Sequence, residues 1–98
     1  MTTLVINFKE DMVKYKKLLT VLGGKTRIKI LKLISNGQNW TISDMAKKMK
    51  CGIPNLSQQV SELEKSGFII KQLSPSSGNN IKYIKPVYDR IEIVGLMQ

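Results

Sequence analysis

The chain of 98 residues carries 16 Lys and Arg against 7 Asp and Glu, for a formal net charge of +9 at pH 7, and it has one cysteine and no histidine. This length predicts one small domain. The shortage of His and Cys excludes a His-based active site, a Cys-cluster zinc site and an intramolecular disulfide framework. No apolar run approaches the roughly 18–20 residues that a membrane span needs. We expect a cytoplasmic protein that is not an enzyme, acts away from membranes and uses no metal or cofactor.

The first predicted helix covers residues 7–22. Asn7 and Glu10 stand at the spacing of a capping box, and apolar residues then follow at steps of four and three, which is typical of one helix face. Such a stripe fits core packing and a dimer seam equally well. We take it as the candidate dimerisation surface, formed by Phe8, Met12, Tyr15, Leu19 and Leu22.

Three more helices are predicted over residues 25–67. The first begins at Lys25, and the second opens at Thr41, with Asp44 at the third position of a cap-like pair. After a break at residues 51–53, Pro54 fits the first turn of the third helix, because its missing N–H would have been unpaired there. Apolar residues at helical spacing give each helix an inward face: Ile28, Leu31 and Ile34; Ile42, Met45, Ala46 and Met49; and Leu56, Val60 and Leu63.

Beyond Gly67 the apolar period changes from 3.6 to 2, which predicts strands at residues 68–73 and 81–85. The Ser-, Gly-, Pro- and Asn-rich stretch between them predicts a polar hairpin tip, so residues 68–86 form a β-wing. The segment 87–98 is ambiguous: Val87, Tyr88, Ile91 and Val94 fit a helix, and Ile91 and Ile93 also fit a strand. We expect a C-terminal helix.

Two short helices, a brief break and a following hairpin describe a mainly α winged helix-turn-helix, an α+β fold that places its recognition helix in the DNA major groove. Residues 25–50 carry seven bases against one acid, and residues 51–73 are neutral. Lys and Arg neutralise phosphates, whereas amides and hydroxyls read base edges. This division favours double-stranded DNA as the partner, although a lysine-rich face also keeps a small protein soluble.

The candidate site residues follow from this interpretation and fall into three groups. The base-reading group is Asn55, Ser57, Gln58, Gln59 and Ser61. The phosphate-binding group is Lys25, Arg27, Lys47, Lys48, Lys50 and Lys65. The wing group is Ser76, Ser77, Asn79, Asn80 and Lys82.

Two segments carry a resemblance to a known family. Residues 22–31, LGGKTRIKIL, and residues 56–63, LSQQVSEL, resemble the second helix and the recognition helix of the arsenic-repressor-like (ArsR) winged-helix regulators. The resemblance implies a repressor that acts as a homodimer through its first and last helices. Metal-sensing members carry Cys-x-Cys where this chain has Thr41 and Ser43, which argues against metal sensing.

Two alternatives remain open at the level of sequence. A winged helix can also serve as a protein-interaction module of a transcription or replication assembly, and Glu62 and Glu64 on the predicted recognition helix are compatible with that role. Cys51, just before this helix, is either an ordinary small apolar residue or a redox switch.

Overall fold

The computed structural model describes residues 2–10, 12–74 and 81–95. Its elements, in chain order, are β1 (Thr3–Asn7), α1 (Met12–Leu22), α2 (Lys25–Ile34), α3 (Ile42–Met49), α4 (Ile53–Lys65), β2 (Ile69–Leu73), β3 (Lys82–Pro86) and β4 (Arg90–Val94). Helices α2, α3 and α4 followed by the β2–β3 hairpin form a winged helix-turn-helix, which confirms the predicted fold class.

The boundaries of α3 and α4 have clear local causes. The Thr41 hydroxyl accepts a hydrogen bond from the Asp44 N–H at 3.1 Å, so Thr41 is the N-cap that the sequence predicts. Lys50 ends α3 in the left-handed conformation, with φ of 55°, which turns the chain sharply. Helix α4 starts after Gly52, with Pro54 in its first turn.

One apolar core joins the helices to the hairpin. The predicted stripe Leu56, Val60 and Leu63 is fully buried on α4, and it meets residues of α2, α3, β2 and β3. The buried members of the cluster are Val21, Ile30, Ile34, Met45, Ala46, Leu56, Val60, Leu63, Phe68, Ile69 and Ile84. Because this cluster holds the buried side of α4, the opposite side of the helix is left at the surface.

The hairpin is anchored to the segment that precedes α3. Strands β2 and β3 pair antiparallel, with Ile70 opposite Lys85 and Leu73 opposite Lys82. The Ile84 N–H donates to the Trp40 carbonyl oxygen at 2.8 Å, so the segment before α3 adds a short bridge to β3. Trp40 itself is partly buried against the core.

The predicted C-terminal helix is wrong for the described part of that segment. Residues 90–94 form β4, which pairs in parallel with β1, placing Leu4 beside Ile91 and Ile6 beside Ile93. The alternation of Ile91 and Ile93 is the strand pattern that competes with the helical one in this tail. Pairing with a segment 87 positions away decides between the two patterns, and short-range periodicity carries no information about such a partner.

The predicted helix over residues 7–22 begins five residues later, at Met12. Asn7 ends β1 instead of capping a helix: its side-chain oxygen accepts from the Lys9 N–H at 3.0 Å, and its carbonyl oxygen accepts from the Glu10 N–H at 3.1 Å. These two bonds make a turn between β1 and α1. The capping-box spacing is present in the sequence, but the Asn7 backbone is part of β1 and does not begin a helix.

The structure describes four of the five side chains of the predicted dimerisation stripe, whose role in a dimer stays a prediction. Tyr15 is buried within its own chain, with its hydroxyl donating to the Glu10 carboxylate at 3.0 Å, and Leu22 packs against the core. These two residues therefore belong to the core-packing alternative. Phe8 and Leu19 are half-buried, and the side chain of Met12 lies outside what the structure describes.

On α2, the residue expected to face inward at the first turn does not do so. Ile28 is 50% exposed, whereas Ile30 and Ile34 are buried. Apolar residues occupy so many positions of this helix that their spacing does not define a single face, and packing against the neighbouring helices selects Ile30 and Ile34.

Candidate nucleic-acid interface

Helix α4 presents two chemically different sides. At 3.6 residues per turn, Gln58 lies about 200° around the helix from Leu56 and therefore points away from the core. Asn55 is likewise exposed. This outward side begins at the first turn of α4, immediately after the α3–α4 break, so its amides stand at the end of the helix that other winged-helix proteins insert into DNA.

The five predicted base-reading residues differ in exposure. Asn55 and Gln58 are exposed, whereas Ser57, Gln59 and Ser61 are half-buried. The difference follows from helix geometry, because Ser57 and Gln59 flank the buried stripe on either side while Gln58 opposes it.

Gln59 has a partner inside the protein. Its side-chain oxygen accepts a hydrogen bond from the Arg27 guanidinium, Nη1 to Oε1, at 2.8 Å. The same guanidinium donates from Nε to the Val21 carbonyl oxygen at 2.6 Å and from Nη2 to the Thr20 carbonyl oxygen at 3.3 Å. The sequence predicts a phosphate contact at Arg27 and a base contact at Gln59, whereas the structure joins the two side chains to each other and to the end of α1.

The lysines around the recognition helix divide into two locations. Lys47 and Lys48 lie in the last turn of α3, and Lys50 is its C-cap, so all three exposed cations stand beside the start of α4. Lys65 is the last residue of α4, about 18 Å along the helix axis from its first residue at 1.5 Å per residue. Along the chain the α3 lysines therefore lie close to the start of α4, whereas Lys65 lies at its far end.

The start of α4 is itself suited to negative charge. Its N-cap is Gly52, which supplies no side-chain hydrogen bond, and its first turn contains no acidic residue. The first N–H groups of a helix have no intrahelical partner and carry the positive end of the helix dipole. Together with the α3 lysines, they favour a phosphate at this position.

Helix α2 begins in a similar way. Exposed Lys25 is its first residue, and its N-cap Gly24 supplies no side-chain hydrogen bond.

The wing is described only in part. Lys82 is exposed at the start of β3, while Ser76, Ser77, Asn79 and Asn80 lie outside the described residues. On the strands, the Lys71 ammonium lies 3.7 Å from the Glu64 carboxylate, and the Lys85 ammonium donates to the Asn39 side chain. The exposed Lys71–Glu64 pair contributes little stability, but it directs the charge of Glu64 towards the wing.

The described part of the chain lacks a candidate metal site. Residues 2–10, 12–74 and 81–95 contain no cluster of three or more His, Cys, Asp or Glu side chains that could hold a metal ion. Cys51 is a free thiol, half-buried and packed against the core. Within the same ranges, no helix has both the length and the hydropathy needed to cross a bilayer.

The three-helix core, the exposed amides of α4, the adjacent lysines and the hairpin define a winged helix-turn-helix of the DNA-binding regulator class. The sequence profile of the MarR family matches residues 25–80, which is more than half of the chain. The protein therefore belongs to the MarR family, whose members are non-enzymatic, DNA-binding transcriptional regulators. The matched range spans α2, the helix-turn-helix and the start of the wing.

A solved structure supports the fold independently. The chain is similar to reduced HlyU from Vibrio cholerae N16961, with a TM-score of 0.64 and 15% sequence identity, over 76% of this chain and 74% of that one. At this identity the likeness shows the winged-helix fold alone. A comparison with curated proteins gave no match. The predicted class of winged-helix regulator is thus confirmed, and the family that the match shows is MarR, not the ArsR family that residues 22–31 and 56–63 resemble.

Proposed function

We propose that this DNA-binding regulator is a sequence-specific homodimer that represses transcription by occupying a two-fold symmetric site in the cytoplasm. The observation that carries the proposal is the exposure of Asn55 and Gln58 on α4, a helix separated by only two residues from the α3 end that carries the exposed Lys47, Lys48 and Lys50. Exposed amides in the N-terminal half of a helix whose other side is anchored, with lysines close by in the chain, suit a major groove flanked by phosphates.

Base reading is assigned to the exposed amides. Gln and Asn side chains can pair bidentately with adenine, and each good pair discriminates against a wrong base by about 1–3 kcal/mol. Ser57 and Ser61 offer hydroxyls at the edges of the same surface. Gln59 contributes through Arg27, because its oxygen already accepts a hydrogen bond there.

The phosphate contacts are assigned to the lysines at the start of α4 and α2. Lys47, Lys48 and Lys50 fit the backbone beside the groove that α4 enters, and Lys25 fits a flanking phosphate at the start of α2. Lys65 is too far along α4 to share those phosphates, and Lys82 is assigned to the wing contact. A dimer in which Lys25 and the three lysines at the end of α3 each neutralise one phosphate predicts a slope of log affinity against log salt of about −7.

The second copy is assigned to the β1–β4 sheet. Paired residues of a parallel sheet share a face, so Ile91 and Ile93 lie on the same side as Leu4 and the fully buried Ile6. The β4 half of that side remains open, with Ile93 48% exposed. A two-stranded sheet has little independent stability, and parallel sheets are normally covered on both faces. These features favour β4 against β4 of a second copy around a two-fold axis.

The regulatory outcome that we propose is repression. Two recognition helices about 34 Å apart would occupy successive major grooves on one side of the duplex. A dimer seated on such a site within a promoter excludes other proteins from the same DNA.

Selection of duplexes from a random pool, combined with the solution mass, tests the proposal. We expect a two-fold symmetric selected site, a mass of two chains and a strong salt dependence. Gln58→Ala should weaken binding to the selected site by about 1–3 kcal/mol per half-site and leave non-specific binding nearly unchanged. Gln38→Ala, which removes an exposed amide outside α4, is the matched control. Absence of binding at low salt would instead favour the protein-interaction module.

A further inference from the structure

The guanidinium of Arg27 connects two helices that the chain does not connect directly. Its bonds to the Thr20 and Val21 carbonyl oxygens hold the C-terminal end of α1, and its bond to Gln59 holds the middle of α4. We call these three contacts the Arg27 bridge. Gln59 is adjacent in sequence to Gln58, so the bridge attaches to α4 directly behind its outward-facing amide.

The turn between α1 and α2 leaves space for this side chain. A Cβ atom added at Gly24 would lie 2.4 Å from the Arg27 Cζ and 2.5 Å from its Nη2, well inside van der Waals contact. Gly24 has φ of −78°, a value open to any residue. Glycine at position 24 therefore leaves room for the Arg27 guanidinium and is not required by the backbone conformation.

Helix electrostatics point the same way. Arg27 lies in the first turn of α2, which contains no acidic residue and where a positive charge is unfavourable. The last turn of α1 contains no basic residue, although its carbonyl end favours a positive charge. The guanidinium turns back across Gly24 to that end, so a tertiary contact supplies the cation that α1 lacks.

We infer that Arg27 is a positioning residue: through the Arg27 bridge it holds α4 at a set angle to α1, and sequence discrimination depends on it without contact to DNA. The inference rests on the proposed base reading by α4. Hydrogen bonds to base edges tolerate only a few tenths of an ångström in length and weaken steeply off-axis. A small rotation of α4 would therefore misplace Gln58 while leaving the long-range attraction of the lysines for phosphate intact.

The test compares two quantities for each variant: the ratio of affinities for the selected duplex and for an unrelated duplex of equal length, and the salt slope. Arg27→Lys keeps the charge but loses the planar fork that reaches three acceptors. We expect its discrimination ratio to fall about tenfold per half-site, the equivalent of one weakened base-pair contact in each, with an unchanged salt slope.

A glycine pair provides a matched control that leaves Arg27 in place. Gly24→Ala should displace the flexible guanidinium at little cost to the fold and reproduce the loss of discrimination in Arg27→Lys. A Cβ at Gly23 would only touch two carbonyl oxygens at 3.4 Å, so Gly23→Ala should keep the wild-type ratio. Thermal unfolding of all three variants identifies any that have lost the fold, and the Gly24→Ala result decides where Arg27→Lys is unfolded.

Each of three other results would overturn the inference. If Arg27 binds phosphate, Arg27→Ala lowers the salt slope by about 1 per protomer and weakens all duplexes equally, while Gly24→Ala has no effect on the ratio. That pattern overturns the inference and leaves the proposed function standing. Arg27 and Gln59 contact each other, so their substitutions are expected to have non-additive effects. If Arg27→Lys and Gln59→Ala instead had additive effects on the discrimination ratio, the inference would be overturned as well. A wild-type protein that selects no sequence overturns both proposals.

Discussion

The two small sheets of this protein have the same size but contribute differently to the main core. Each consists of two strands of five residues. The β2–β3 hairpin joins neighbouring segments and inserts Ile69 and Ile84 into the main core. The β1–β4 sheet joins segments from opposite parts of the chain, and its β4 half keeps Ile91 and Ile93 at the surface. Each hairpin strand therefore contributes a buried isoleucine to the main core, whereas no residue of β4 is buried.

The largest expected effect separates the two sheets by stability. Ile84→Ala should lower the free energy of unfolding by about 2–5 kcal/mol, because it leaves a cavity in a packed core. Ile93→Ala removes the same atoms from a half-exposed position, and in dilute protein it should cost about 1 kcal/mol or less. Urea unfolding at low protein concentration measures both. Equal losses would mean that the β1–β4 sheet is as complete as the hairpin.

An intermediate effect concerns association. Ile93→Lys should shift the protein from two chains towards one, because it places a charge in an apolar contact. Ile70→Lys, at an isoleucine of similar exposure (51% against 48%) on β2, is the control and should leave the mass unchanged. Sedimentation over a range of protein concentrations gives the result. A dimer that survives Ile93→Lys would exclude β4 as its centre.

The smallest expected effect concerns the aromatic contact where the hairpin meets the segment that leads to β4. Tyr88, between β3 and β4, meets Phe68 edge to face, with ring centroids 6.1 Å apart. Tyr88→Leu should lower the free energy of unfolding by about 0.5–1.5 kcal/mol, the value of such an aromatic pair beyond its buried area. Tyr83→Leu on β3, outside this pair, should cost less. Thermal unfolding of the two variants compares them, and a larger loss for Tyr83→Leu would contradict the assigned role of the pair.

Much of the DNA-binding core could be predicted because its signals are local. The period of Leu56, Val60 and Leu63 indicates the buried side of α4, and the other side follows from 3.6 residues per turn. Thr41 with Asp44 indicates where α3 begins. For the same reason the exposure of Asn55 and Gln58 is predictable from spacing alone.

The functional site was harder to predict where a polar side chain can bind either DNA or another residue of the protein. Arg27 and Gln59 are both polar residues near a predicted interface, and their composition suits DNA contact. Their mutual hydrogen bond joins residues 32 positions apart. Gly24 was the one indication in the sequence, but a glycine beside a helix start is compatible with many turns. Only the position of α1 shows that the missing side chain leaves room for the Arg27 guanidinium.

The sequence by itself determined the four helices, the caps and breaks between α3 and α4, and the hairpin, because each depends on hydrogen bonds and apolar spacing within a few residues. The tertiary structure alone decided that the tail is a strand beside β1, that Tyr15 faces its own core, and that Arg27 turns inward to Gln59. These outcomes depend on partners far away in the chain, and the free energy of such contacts exists only once the helices have packed.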